Sequence, residues 1–185
     1  MKDSPFKMVI VLTIITVISA LILATVHSGT KDMITENYRQ DFLKGLKVVM
    51  PGFDNEPDVD FKVMKDKKIY IGKKAGVTFG YAVQTVSPKG YSGDIVVLVG
   101  VDTEGKILGI EIIKHAETPG LGNKIENKTW KDTFLGLDKD SNIAVKKDGG
   151  NIDEFSGATI SPRAVCEAVN EGLDFLSRYA VGGEK

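Results

Sequence analysis

The chain has 185 residues, a formal net charge of −1 and a single cysteine, Cys166. That length holds one domain with a sizeable core plus an anchor. The near-zero charge, with lysines scattered in short runs, points away from nucleic acid, and one thiol excludes an internal disulfide, a dithiol pair and a zinc set.

Met8–Val26 contains no charged residue, and about 20 apolar residues suffice to cross a bilayer as one helix. We read residues 1–29 as an uncleaved transmembrane anchor. A cleaved signal peptide is the competing reading, but no clean small-x-small cleavage site follows the run. A buried soluble helix would need a polar face, and the run has none. Lys2 and Lys7 precede it and Lys31, Arg39 and Lys44 follow it, so the charge rule does not decide its orientation. Residues 30–58 read as a connecting helix and loop. Met33, Ile34, Phe42, Leu46 and Val49 fall on or near one face, which predicts a helix ended by Pro51-Gly52, either a stalk or, as the preferred reading, a helix packed on the domain.

From residue 59 to 185 the pattern is that of one domain. Lys68–Ile71 alternates, and Gly72–Gly76 reads as a turn. Val77–Val86 predicts a strand ended by Ser87-Pro88-Lys89-Gly90. Ile95–Val101 is nearly all apolar, as expected of an inner strand. Asp102-Thr103-Glu104-Gly105 is a hairpin turn, and Lys106–His115 returns as an antiparallel partner. A helix through Trp130 and Phe134, stopping near Gly136, and a short strand at Ile143–Val145 follow. The chain closes with a helix from Pro162 to about Tyr179 and a frayed tail at Gly182–Lys185. The fold class is α+β, a mostly antiparallel sheet with packed helices. Cys166 lies beside the apolar stripe of the last helix and reads as a buried, inert thiol. His27 and His115 have no partner spacing for metal or triad work and read as ordinary surface or strand residues. Trp130 and Tyr91 offer flavin-stacking surface, but core packing is the preferred reading.

The stretch Asp153-Glu154-Phe155-Ser156-Gly157-Ala158-Thr159, running into Ile160-Ser161-Pro162-Arg163, is a loop entering a helix. Ser161 suits an N-cap and Pro162 the first helical position. Thr159 therefore stands at the positive end of a helix, where an anion is favoured. Gly157 and Ala158 are small enough for a bulky group to approach the backbone. Taken alone, this is equally an ordinary capped helix start.

Asp153-x-x-Ser156-Gly157-Ala158-Thr159 resembles the flavinylation motif of the FMN-binding domain family. Glu117-Thr118-Pro119-Gly120-Leu121-Gly122 resembles a second signature of that family, as does Gly90-Tyr91-Ser92-Gly93. The resemblance implies a covalent FMN, joined through its phosphate to the hydroxyl of Thr159. It also implies backbone contacts to the phosphate from Ser156, Gly157 and Ala158, and a flavin pocket formed by Glu117, Thr118, Leu121 and Gly122, with Leu121 against the ring. Asp153 is either a loop-bonding residue or part of the recognition sequence for attachment. No catalytic residue and no resident metal ligand is assigned.

The same resemblance implies a maturation partner, a flavin transferase that uses FAD, because no base in the motif activates Thr159. It implies a single-pass protein of the cell membrane with a cytoplasmic N-terminus and an extracytoplasmic C-terminal domain. Its role would be to relay electrons among other subunits of an Rnf-type ferredoxin:NAD oxidoreductase complex coupled to Na⁺ or H⁺ movement, without turnover on its own. Alternatives are an electron-transfer subunit of a sodium-pumping quinone reductase or other extracytoplasmic flavin chain, and a non-redox anchored binding domain.

Overall fold

The computed structural model describes residues 5–181. Lys2 and the Gly182–Lys185 tail, both invoked above, lie outside them. The chain divides into two compact units, one up to Gln40 and one from Asp41 onward.

The described residues of the first unit, 5–40, are all helical, as the opening part of α1 (Pro5–Val49). It is long and apolar enough to cross a membrane, and its most apolar window buries nothing against protein. The hydroxyls of Thr13, Thr16 and Thr25 donate to the carbonyls of Val9, Leu12 and Leu21 at 2.8, 2.5 and 2.8 Å. Each hydroxyl is thus satisfied within its own helix, as a hydrocarbon environment demands. Met33 and Ile34 are exposed, so the expected packed stripe does not include them. Residues 5–49 run as one helix, with no proline between Pro5 and Val49 to break it.

The second unit is built on a five-stranded antiparallel meander in the order β1-β2-β3-β4-β5. Its strands are β1 (Phe61–Met64), β2 (Lys67–Lys74), β3 (Val77–Gly90), β4 (Gly93–Asp102) and β5 (Ile107–Lys114). β2 runs through Gly72–Lys74, and only Ala75-Gly76 turn, both at positive φ. β3 continues through Pro88 to Gly90. The pairing slips between Ser87 and Gly90, and such an irregularity tolerates a residue with no N–H to donate.

α3 (Ile160–Tyr179) covers one face of the sheet with Val165, Ala168, Val169, Leu173 and Leu176. The last turns of α1 and Met50 cover the other, where Phe42, Leu46, Val49 and Met50 meet Ala82 and Leu98. β4 is therefore buried on both sides, which accounts for its unbroken apolar run. Burying one such side chain contributes roughly 1.5–3 kcal/mol.

The connection from β5 to α3 is less regular than expected. One helical turn, α2 (Lys128–Lys131), is flanked by short 3-10 segments at Gly122–Glu126 and Asp132–Phe134. Ile143–Val145 forms no strand; Val145 makes only an isolated bridge to Ile152. The apolar side chains of this connection (Ile125, Trp130, Phe134, Ile143, Val145, Ile152) nonetheless all enter the α3-side core. The periodicity thus reported burial without reporting regular structure.

Candidate functional site

The β3–β4 turn (Gly90–Gly93), the loop after β5 (Glu117–Gly122) and the segment leading into α3 converge on one carboxylate. Glu117 is buried, with 5% of its surface exposed. Its Oε1 accepts from the backbone N–H of Ser92 at 3.1 Å, and its Oε2 accepts from the hydroxyl of Ser161. A Cβ at Gly122 would collide with both Glu117 Oε2 and Ser161 Oγ, so that position has no room for a side chain. The three sequence signatures are thus three sides of one hydrogen-bonded junction.

The Glu117 backbone is itself held. Its N–H donates to Nδ1 of His115 at 2.9 Å, and His115 Nε2 lies 2.9 Å from Glu126 Oε1. A ring nitrogen that accepts carries no proton, so this network assigns the proton to Nε2.

Beside the junction lies a hollow of about 330 Å³, lined by Tyr91, Glu117, Thr118, Leu121, Gly122, Gly157, Ala158, Thr159, Ile160 and Ser161. Seven of the eight expected site residues line it (Thr159, Gly157, Ala158, Glu117, Thr118, Leu121, Gly122); Ser156 stands outside the lining, exposed in the turn before it. Ala158 N–H closes that turn on Phe155 O at 3.0 Å, and Gly157 takes φ +78° there, a backbone shape that favours glycine.

α3 begins two residues earlier than expected. Thr159, not Ser161, is the N-cap, and the Thr159 hydroxyl makes no capping bond. Ser161 is already inside the first turn with its own hydroxyl committed to Glu117, which corrects its reading as the cap. Tyr91 is also corrected: it is 69% exposed at the edge of the hollow, because the tight β3–β4 turn projects it away from both cores. Trp130 is a core residue as expected. Its Nε1 donates to Asp153 O at 2.7 Å, and its ring packs on Phe134 and Phe155, which fixes the start of the motif. Asp153 itself pairs through its carboxylate with Lys146 at 2.6 Å.

These parts fit a flavin mononucleotide on chemical grounds. The hydroxyl of Thr159, which makes no capping bond, stands at the positive end of a 20-residue helix, a place that favours a phosphate anion. Leu121, Ile160 and Tyr91 supply exposed apolar and aromatic surface beside it, as an isoalloxazine ring requires.

A larger hollow of about 450 Å³ lies along α3 and shares only Ile160 with the first. Its charges are already paired. Arg163 holds Asp148 through two bonds of 2.5 and 2.6 Å, and Lys89 holds Glu167 at 2.6 Å. These cations keep the Asp148 and Glu167 carboxyls below their ordinary range. Cys166 in its wall is buried, and desolvation pushes its thiol up to about 12, as expected for an inert cysteine. Sequence reasoning passed over Ser161 and His115 as site residues. The partner of Ser161 lies 44 positions away, and the bond of His115 to the N–H two residues on forms only where the chain after β5 turns back on the ring.

Residues 90–174 match the family model described as FMN-binding domain. The G subunit of the ion-translocating oxidoreductase complex of Aliivibrio fischeri is 37% identical over 190 residues, covering 94% of this chain and 90% of that protein. Its counterpart in Haemophilus influenzae is 42% identical over 171 residues, covering 84% and 82%. In fold, the chain resembles the crystal structure of the C subunit of the Na(+)-translocating NADH-quinone reductase from Parabacteroides distasonis, with a TM-score of 0.51, 20% identity and 64% of each chain covered. With an apolar α1 added to this domain, the protein is membrane-anchored, and it belongs to the family of G subunits of ion-translocating oxidoreductase complexes.

Proposed function

We propose that this chain is an electron-carrying subunit of an Rnf-type ion-translocating oxidoreductase complex, with FMN joined through its phosphate to Thr159. The observation that supports the attachment is the Thr159 hydroxyl, free of any capping bond at the N-terminus of α3 and at the wall of a partly apolar hollow. Bound there, FMN supplies a ring that takes up and releases electrons singly or in pairs; the protein supplies position and electrostatics. Helix α3 favours the negative charge that a phosphodiester retains. Gly157 and Ala158 leave the backbone beside Thr159 open, and Leu121, Ile160 and Tyr91 give the ring an apolar face. Ser156 takes its place through the turn it shapes with Gly157.

Attachment is a transfer from FAD by a separate transferase. The Thr159 Oγ1–phosphorus bond forms, the phosphoanhydride bond of FAD breaks, AMP leaves, and the hydroxyl proton passes to the transferase. No base on this chain is assigned to take it. The anchor is assigned an N-in orientation, which puts the domain on the extracytoplasmic side with the transferase and the partner subunits. Added protease should therefore digest the domain in right-side-out vesicles and spare it in inside-out ones; the reverse pattern overturns the orientation.

The test of the attachment is the intact mass of the full chain, purified in detergent after co-expression with a flavin transferase, as wild type and as Thr159→Ala. An increment of FMN less one water, present in the wild type alone, is the expected result. A folded wild type without the increment, beside an active transferase, overturns the attachment. The proteins recovered with the full chain then separate an Rnf-type complex from a quinone reductase.

A further inference from the structure

We propose that His115 is a positioning residue for the attachment of flavin at Thr159, acting through Glu117. The proposal rests on the attachment reading above and reaches beyond it, to a residue that touches neither Thr159 nor the hollow.

The chain of contacts is short and fully specified. Glu126 Oε1 receives His115 Nε2–H at 2.9 Å, which orients the ring and leaves Nδ1 as an acceptor. Nδ1 then receives the backbone N–H of Glu117 at 2.9 Å. That bond fixes the backbone from which the Glu117 side chain departs. The carboxylate meets two partners at once, Ser92 N–H on the β3–β4 turn and Ser161 Oγ in the first turn of α3. Ser161 lies two residues beyond Thr159, so the grip on Ser161 sets where the first turn of α3 presents the Thr159 hydroxyl. The ring is 13% exposed, so water does not readily replace its bond to the Glu117 N–H. Both Glu117 oxygens are committed within the protein. We therefore assign Glu117 to holding the wall of the site in place, with Thr118, Leu121 and Tyr91 left to face a ligand.

An N–H acceptor at position 115 is what the site needs, and asparagine can supply one: its side-chain oxygen reaches the N–H two residues on in an Asx turn. Glutamine carries its oxygen one bond too far for that turn, and alanine has none. The experiment measures the rate at which full-length, detergent-solubilised chain takes up FMN from FAD with purified transferase, read by intact mass. Wild type, His115→Asn, His115→Gln and His115→Ala are compared, with Thr159→Ala as the blank. His115→Ala and His115→Gln should label about tenfold more slowly than wild type, as a displaced reacting group does, and His115→Asn should stay within about threefold of wild type.

Labelling of the Ala and Gln variants at the wild-type rate overturns the proposal, as does an Asn variant no faster than the Gln one. If His115→Ala does not fold, the Asn–Gln contrast decides. A second readout needs no flavin. The chain has only two histidines, His27 and His115, so ring ¹⁵N spectra with a His27→Gln variant isolate His115. Its Nδ1 should be the unprotonated nitrogen, and the Glu117 amide should exchange slowly in wild type and rapidly in His115→Ala. A His115 ring protonated on Nδ1 overturns the proposal. A wild type that takes up no flavin overturns the attachment reading and with it the role built on it, whereas wild-type uptake with unchanged Ala and Gln variants overturns the role of His115 alone.

Discussion

The hydroxyl of Ser161 donates to the buried carboxylate of Glu117, across 44 positions of sequence. This bond joins the first turn of the flavin-side helix to the loop after β5, and it gives Ser161→Ala a different meaning from the loss of a helix cap. The substitution leaves Glu117 Oε2 buried with one partner fewer, and an unsatisfied buried acceptor costs about 1–3 kcal/mol. We expect Ser161→Ala to lower the urea midpoint accordingly, and Ser161→Thr, which keeps the hydroxyl, to recover most of the loss. A cap role would instead make Ser161→Asp as good as wild type. We expect Asp to be the worst of the three, because it sets a second carboxylate against Glu117.

Gly100 and Gly109 pair across β4 and β5, under the backbone of Val48 and Val49. A Cβ at Gly100 would overlap the carbonyl oxygen of Val49 and come within 2.8 Å of its carbonyl carbon; one at Gly109 would lie 3.0 Å from Val48 O. The two glycines let the end of α1 lie directly on the sheet. Gly100→Ala therefore forces backbone apart, and overpacking of this kind costs about 1–3 kcal/mol. Gly109→Ala should cost less, since 3.0 Å leaves room for a small adjustment. The ratio of the two denaturation shifts checks the argument.

Periodicity and turn chemistry made most of this fold legible. The Ile95–Val101 run marked a strand covered on both faces, and of the stripe expected along α3, Val165, Ala168, Val169, Gly172 and Leu176 are buried while Phe175 and Tyr179 are half-buried. The hollow gathered seven of the eight expected site residues because the family signatures were contiguous in sequence. What stayed hidden were contacts between elements. A serine before a proline has a good local reason to be an N-cap, and only the distant Glu117 outcompetes that role for Ser161. His115 ends a strand like any polar residue until the backbone of Glu117 turns back onto it. Trp130 and Phe134 kept apolar spacing through 3-10 turns, so the pattern suggested a longer helix than the single turn at Lys128–Lys131.

Cys166 should behave as a buried hydrophobe. Its thiol is pushed up to about 12 from an ordinary 9.0, chiefly by desolvation. In the unfolded chain it ionises near 9.0, so its contribution to stability is complete below that pH and is lost as pH rises toward the folded value. At neutral pH the native chain should react with a chromogenic disulfide reagent only on unfolding, and Cys166→Ala should flatten the alkaline loss of stability.

On the acid side, Asp60, Asp138, Asp148 and Glu167 are all held below their ordinary values. The largest cause in each case is a side-chain hydrogen bond, from Asn55, Ser141, Arg163 and Lys89 respectively. Depressed carboxyls stabilise above their unfolded values and lose that contribution as pH falls through their folded ones. Stability should therefore hold steady down to the ordinary carboxylate range of 4.5 to 3.8 and decline below it. Asp148→Asn should make the decline shallower. Because Asp148 is solvent-exposed, high salt should shrink the difference between variant and wild type.

Trp130 connects the core to the motif, and its replacement separates packing from hydrogen bonding. Its ring sits 5.2 Å from Phe134 and 5.3 Å from Phe155 between centroids, while Nε1 donates to Asp153 O at 2.7 Å. Trp130→Phe keeps an aromatic ring between those neighbours and removes only the donor and some volume. The lost hydrogen bond alone should cost about 1 kcal/mol, with the missing indole volume adding to it. The structural consequence falls on Asp153, the first residue of the motif, whose carbonyl is then free to turn. Amide exchange from Asp153 to Ala158 should quicken in Trp130→Phe while exchange in β4 stays unchanged. Acceleration in β4 as well would mean that the ring, and not its N–H, is what steadies the approach to Thr159.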